Sequence, residues 1–180
     1  MKRFLTYIKE SEQQKVLHVM RGISGSGKST VSRSIAESNK NSVILSTDRF
    51  FMTPEGNYQF DPSKIVENHT KNINDAVDHM KRGTNNIIID NTNLVISHMH
   101  PYVSAAQMHG YDVRFHDIHE NNPNNIDVGE SSRRMTKRAE TSVPGSDHGS
   151  EVARRQAAGY EPFKTDNPVE EIMSSIKPKA

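Results

Sequence analysis

Apolar residues fall in short runs along this chain, each closed by a polar turn and most followed by a stretch with helical spacing. Val16-Leu17-His18-Val19-Met20 is the first run and ends in a glycine-rich turn, which suits a buried strand feeding a helix from Lys28 to about Asn39. Val43-Ile44-Leu45-Ser46-Thr47 predicts a second buried strand that delivers Asp48 to its C-terminal end. Pro54, Gly56 and Asn57 mark an exposed loop over residues 52–60, with Tyr58 and Phe60 as aromatics in or beside it. Asp61 as N-cap and Pro62 as first helical residue open a helix in which Ile65, His69, Ile73, Ala76, Val77 and Met80 recur at helical spacing until Gly83. Ile87-Ile88-Ile89 predicts a third strand ending in Asp90-Asn91-Thr92-Asn93. A helix from about Ser97 to His109 then stops at Gly110, and Asp112 to Asp117 reads as a fourth strand.

Strand and helix alternate throughout, so the expected fold is α/β: a three-layer sandwich with a parallel sheet, helices on both faces and ligands at the C-terminal ends of the strands. The asparagine-rich run 120–125 reads as a loop, residues 128–140 as a basic helix serving as a lid, and Ser150 to Ala158 as another helix. The chain divides into a polar extension over 1–14, one domain over 15–165 with its lid at about 128–150, and a polar tail over 166–180. It shows no internal repeat.

Composition narrows the picture only in places. The length of 180 residues fits a single α/β domain, and 33% hydrophobic with 25% charged residues fits a soluble domain with many polar loops rather than a disordered chain. Lys and Arg number 23 against 22 acidic residues, so the net charge of +1 gives no global attraction to nucleic acid and any basic surface must be local. No run approaches the roughly 18 apolar residues of a membrane span, and the first residues lack the apolar length of a signal peptide, so the expected location is the cytoplasm. With no cysteine, disulfides, thiolate ligands and a cysteine nucleophile are excluded. Catalysis would have to draw on oxygen, imidazole, lysine or an added metal ion.

Gly22-Ile23-Ser24-Gly25-Ser26-Gly27-Lys28-Ser29 carries the two glycines, lysine and hydroxyl residue of a P-loop, or Walker A motif, between the predicted strand and helix such a loop requires. Glycines let successive backbone N–H groups turn toward phosphate oxygens, and the helix behind adds the positive end of its dipole. Lys28 is placed to reach the β- and γ-phosphates of ATP and Ser29 to offer its hydroxyl to Mg²⁺. Gly25, Ser26, Gly27, Lys28, Ser29 and Thr30 form the expected nucleotide-binding set.

Asp48, about twenty residues further on, sits where a carboxylate could take a proton from an attacking hydroxyl; a turn or N-cap aspartate is the plainer reading. Asp90 closes the isoleucine run, the setting of a carboxylate that reaches Mg²⁺ through water, or of a turn residue. Arg133, Arg134, Lys137 and Arg138 place four cations in six residues. The i, i+4 spacing of Arg134 and Arg138 puts both on one helix face, either as a phosphate clamp or as a solvated surface.

Gly25-Ser26-Gly27-Lys28-Ser29-Thr30, Asp48 followed by Phe50-Phe51, the Asp90-Asn91-Thr92-Asn93-Leu94 turn, and Arg134, Lys137 and Arg138 with Val143-Pro144 together resemble the kinase domain of phage-type polynucleotide 5′-kinases and related AAA-type P-loop kinase-like ATPases, over about residues 15 to 145. The resemblance implies that Asp48 is the general base, that Lys28 and Ser29 hold phosphates and metal, and that Arg134 and Arg138 are lid arginines, with Arg138 acting on the transition state. Lys28, Asp48 and Arg138 are thus the expected catalytic residues. Arg49, Phe51, Asp90, Asn91 and Asn93 are the expected acceptor-side residues.

Three departures accompany it. Phe51 stands where the phage enzymes carry an arginine that holds a nucleic-acid phosphate, while Arg49 directly follows Asp48. Either Asp90 or Asn91 takes the role of the phage turn's aspartate, and Gly145 to Gly149, with Asp147 and His148, is extra length. Phe51, Tyr58 and Phe60 could stack on bases, although one of the adjacent Phe50 and Phe51 is expected to point into the core.

Nine histidines invite a zinc site, but neither His98 with His100 nor His116 with His119 has a third ligand at diagnostic spacing, so hydrogen-bonded or solvent-facing imidazoles are expected. No Gly-x-Ser-x-Gly nucleophile elbow outside the phosphate loop suggests a hydrolase. The expected function is ATP-dependent phosphate transfer to a nucleic-acid hydroxyl, most simply a polynucleotide 5′-hydroxyl. The alternatives are a kinase acting on a hydroxymethylated base in DNA (a DNA modification), on a nucleoside or on another small alcohol, and a nucleotide-binding adaptor without transfer activity.

Overall fold

The computed structural model describes residues 14–139 and 148–176; residues 1–13 of the expected extension, Val143-Pro144, Gly145 and Asp147 lie outside the described residues. Strands β1 (Val16–Arg21), β2 (Ser42–Leu45), β3 (Asn86–Ile89) and β4 (Asp112–Asp117) form one sheet in the order β2-β3-β1-β4. All neighbours are parallel, with Leu17 opposite Ile87 and Val113. Parallel strands covered on both faces explain why β1 and β3 read as nearly unbroken apolar runs. The crossovers are α1 (Lys28–Ser38), α2 (Ile65–Lys81) and α3 (His100–Met108), followed by α4 (Val128–Ala139), α5 (His148–Ala158) and α6 (Pro168–Ser174). Asp61 caps a 3-10 turn over Pro62–Lys64 that runs into α2, so the capping residue and the proline act where expected.

The main core lies on the sheet face that carries Leu17, Val19, Leu45, Ile87 and Ile89. Ala76 and Met80 of α2 and Tyr102, Val103 and Ala106 of α3 pack on it. Alternation along the strands sends His18, Met20 and Ile88 to the other face, and α1 packs against β1, β2 and β3. A smaller cluster of Ile23, Leu94, Ala153 and Tyr160 joins the phosphate loop to α5.

The stretch expected as a polar tail from residue 166 contains α6, whose Ile172 is fully buried in the main core with Val169 and Met173 packed beside it. Burial of one such side chain contributes about 1.5–3 kcal/mol. Three apolar residues at helical spacing behind Asn167 and Pro168 were the available signal; seven residues are too few for periodicity to rise above the polar neighbours.

Candidate active site

The phosphate loop bridges the end of β1 and the start of α1. Gly27, the residue before α1, has φ +107, a conformation glycine adopts without the steric cost other residues meet. Gly25 is needed for a second reason, since a Cβ there would lie 2.4 Å from the backbone oxygen of Ser131 in α4. Lys28 is buried at the head of α1 and its Nζ donates to the Ile23 carbonyl at 2.9 Å, so the ammonium lies over the loop itself.

Side chains from distant parts of the chain brace the loop. The Ile23 N–H donates to Nε2 of His119, just beyond β4, at 3.2 Å. Gln156 of α5 accepts from the Ser24 N–H at 2.7 Å and lies 3.1 Å from the Ser24 hydroxyl through its amide nitrogen. Arg134 of α4 donates to the Gly25 carbonyl at 3.3 Å and is held by Glu130 at 2.8 Å, while Arg133 donates to the other oxygen of the same carboxylate. Under the loop, the fully buried Arg21 pairs with Asp117 at 2.9 Å, donates to the carbonyls of Asn93 and Glu161, and lies against the rings of Tyr160 and Phe163. The Tyr160 hydroxyl donates to the same Asp117 oxygen at 2.6 Å.

Asp48 lies on the 3-10 turn Thr47–Phe51 that follows β2, with an exposed side chain. The turn is held from beneath: Asn91 accepts from the Thr47 N–H at 2.9 Å, and its amide nitrogen donates to the Tyr102 hydroxyl at 3.4 Å, which also accepts from Asn72 at 2.9 Å. Asp90, at the end of β3, has one carboxylate oxygen buried without a hydrogen-bond partner. An orphaned carboxylate oxygen is costly to bury, and a cation relieves that cost. Together with the Ser29 hydroxyl it is a donor set suited to Mg²⁺.

A family model described as an AAA domain (AAA_33) matches residues 17–163. The chain belongs to this family. The AAA_33 domain is 45% identical over 102 residues to NEDD4-binding protein 2 of Homo sapiens; the match covers 57% of the chain but only 6% of that relative's length. Two solved structures show the P-loop kinase fold. One is a chain of the Pnkp1/Rnl/Hen1 RNA repair complex (TM-score 0.60, 18% identity), with 94% of this chain and 48% of that chain aligned. The other is a gluconokinase from Sinorhizobium meliloti 1021 (TM-score 0.53, 18% identity), with 90% and 89% aligned.

Within the AAA_33 domain the expected site residues divide. Gly25, Ser26, Gly27, Lys28, Ser29 and Thr30 lie in the loop and first helical turn, and Arg134 lies over the loop. Arg138 falls in α4, but its side chain lies outside the described residues. Phe51, Asn91 and Asn93, expected to meet the acceptor, are buried at 6%, 9% and 7% exposure and are committed within the chain. Phe51 packs under Tyr58 and Phe60, Asn91 holds the Asp48 turn, and the amide of Asn93 donates to the Met20 carbonyl at 2.8 Å. These three are structural ties. Arg49 is ion-paired with Asp75 and stacks on Phe50. His119, expected only as one imidazole of a histidine pair, and Gln156, Ser131 and Arg21 are tied to the loop by tertiary contacts that no local pattern announces. A histidine two residues after a strand-end aspartate was the faint signal.

Histidine protonation links this architecture to pH. His18 Nδ1 lies 2.9 Å from His116 Nε2 across β1 and β4, and burial holds both imidazoles, like His119, below their ordinary value of 6.5. The folded chain therefore binds these protons more weakly than the unfolded one. Their contribution is complete above that value and is lost as pH falls toward the depressed folded values. Thermal unfolding is expected at lower temperature at about pH 5.5 than at about pH 7.5. His119→Gln, which keeps an acceptor for Ile23, should make that dependence shallower; an unaltered slope would remove His119 as a contributor.

Proposed function

We propose that this domain transfers the γ-phosphate of ATP to a hydroxyl of a nucleic acid, most simply a polynucleotide 5′-hydroxyl. The observation that carries the reading is the exposed Asp48 carboxylate, on a turn locked by Asn91 to the end of the neighbouring β3, which alone separates it in the sheet from the strand that bears the braced phosphate loop. Ligands of open parallel sheets gather at these strand ends. Asp48 accepts the acceptor's proton, Lys28 leaves the Ile23 carbonyl for the phosphates, and Arg134 and Arg138 approach from α4. Ser29 and Asp90 would hold Mg²⁺, which supplies neutralisation of phosphate charge when bound. The two solved relatives leave the acceptor open, one belonging to an RNA repair complex and the other being a gluconokinase.

One observation favours a second reading, an acceptor not held by the phosphate next to its hydroxyl, such as a nucleoside, another small alcohol or a hydroxymethylated base in DNA. Phe51, in the place of an acceptor-phosphate arginine, is buried, and Arg49 is taken up by Asp75. Labelled ATP with Mg²⁺, offered 5′-hydroxyl DNA and RNA oligonucleotides beside nucleosides and hydroxymethyluracil DNA, separates the readings. Label at the 5′ end is the expected result. Label only on the other acceptors keeps the chemistry and overturns the substrate, and no transfer would favour an adaptor. No helix among the described residues is long and apolar enough to cross a membrane.

A further inference from the structure

Residues Phe51 to Gln59 form a tight hairpin directly continuous with the turn that carries Asp48. Gln59 donates to the Phe51 carbonyl at 2.7 Å, Thr53 to Asn57 at 2.8 Å, and Met52 and Tyr58 make an antiparallel bridge. Of six exposed large hydrophobic side chains among the described residues, three belong to this segment and its next residue: Met52, Tyr58 and Phe60 at 48%, 46% and 54% exposure. Single exposed apolar residues are ordinary, but a cluster of this kind marks a binding surface. Phe51 is its floor, with ring centroids 5.2 Å from Phe60 and 6.0 Å from Tyr58.

The position of the cluster selects its occupant. The hairpin follows β2 at one edge of the sheet, whereas α4 and α5 follow β4 at the opposite edge. Partial desolvation of its hydroxyl and, after it, the negative charge of Asp48 push the half-exposed Tyr58 up to about 12. A single sugar separates a nucleobase from its own 5′-hydroxyl, so an end that presents its hydroxyl to Asp48 carries its first base toward the hairpin that begins at Phe51, on the same turn. Every base has a face to stack, which suits a platform without hydrogen-bond readout.

We propose that Tyr58 and Phe60, floored by Phe51, form a stacking platform for the unpaired terminal nucleobase of the acceptor strand. The inference rests on the polynucleotide reading above and adds to it a preference for ends whose first base is free. A 5′-terminal base held in a blunt duplex cannot lie on the platform without opening its pair.

The deciding experiment uses the wild-type chain and two 5′-hydroxyl oligonucleotides, identical except that one lacks the base of its first nucleotide. The expected result is a KM for the abasic acceptor roughly 5- to 100-fold higher, with little dependence on which base the intact acceptor carries. Tyr58→Ala and Phe60→Ala should raise KM for the intact acceptor and leave that for the abasic one nearly as it was. Tyr58→Phe, which keeps the ring, should restore the intact value, and affinity for ATP should hold throughout. Equal KM values for the two acceptors, with transfer present, overturn the platform and leave the kinase reading standing. Transfer to small alcohols but to neither oligonucleotide overturns both.

Discussion

Asp48→Asn is expected to lower kcat for phosphate transfer roughly 100- to 10,000-fold, the span associated with a positioned general base, with ATP affinity unchanged. Asparagine has nearly the same shape, and the turn is secured by the Asp48 N–H on the Ser46 hydroxyl at 3.3 Å and by Asn91 on Thr47, so the backbone should stay in place. The substitution also has a readout independent of turnover. The charge of Asp48 helps to raise the Tyr58 hydroxyl and opposes the lowering of His69, so its removal should bring the Tyr58 pKa down and the His69 pKa further down. Ultraviolet titration of the tyrosines and magnetic resonance of the imidazole would register both shifts. Shifted titrations with transfer unimpaired would place Asp48 in the site and remove it as the base.

The largest effect on stability is expected from Asp117→Ala. Arg21 is fully buried and the Asp117 side chain only 10% exposed, so deletion of the carboxylate leaves a buried cation and the Tyr160 hydroxyl without their shared acceptor. Burial already pulls the Arg21 pKa down, with Asp117 the chief opposing influence. Breaking such a pair from one side costs on the order of 3 kcal/mol, a fall in Tm of about 6–12 °C for a chain of this size. Asp117→Asn keeps an acceptor and should cost less. Pairing Asp117→Leu with Arg21→Met removes both charges and should recover much of the loss. Calorimetry on the wild type, Asp117→Leu, Arg21→Met and their double variant would show it, and additive losses in the double variant would mean that the two side chains act independently.

The parts of this molecule that were legible in its sequence are those where local chemistry is sufficient. Leu17, Val19 and the isoleucines of β3 announce strands, Gly83 and Gly110 end helices, and the spacing of Gly22, Gly27, Lys28 and Ser29 admits few uses other than a phosphate loop. The acceptor side was less legible because asparagine and phenylalanine serve ligand and core equally well. Asn91 and Asn93 close a strand beside the loop, as ligand contacts would, yet both spend their amides on backbone groups that the crossing of strands leaves unpaired. The choice between Phe51 and its neighbours depended on exposure, which no pattern in so irregular a segment reveals. Gln156 lies 132 positions from Ser24, and nothing local marks it as a partner of the phosphate loop.

The clasp around Arg21 also bears on how the chain is made. Its guanidinium closes on the Glu161 carbonyl 140 positions later, and Asp117 lies 96 positions on. At about 5–20 residues per second, a ribosome that has finished β1 needs roughly 7–28 seconds more to supply the last of these partners. Until then the nascent chain holds a strand whose terminal cation has nowhere dry to go, which keeps that end of the strand near water and delays the setting of the phosphate loop. Nucleotide would thus find little to grip on the emerging polypeptide until the segment around Glu161 has been made and has folded back onto β1.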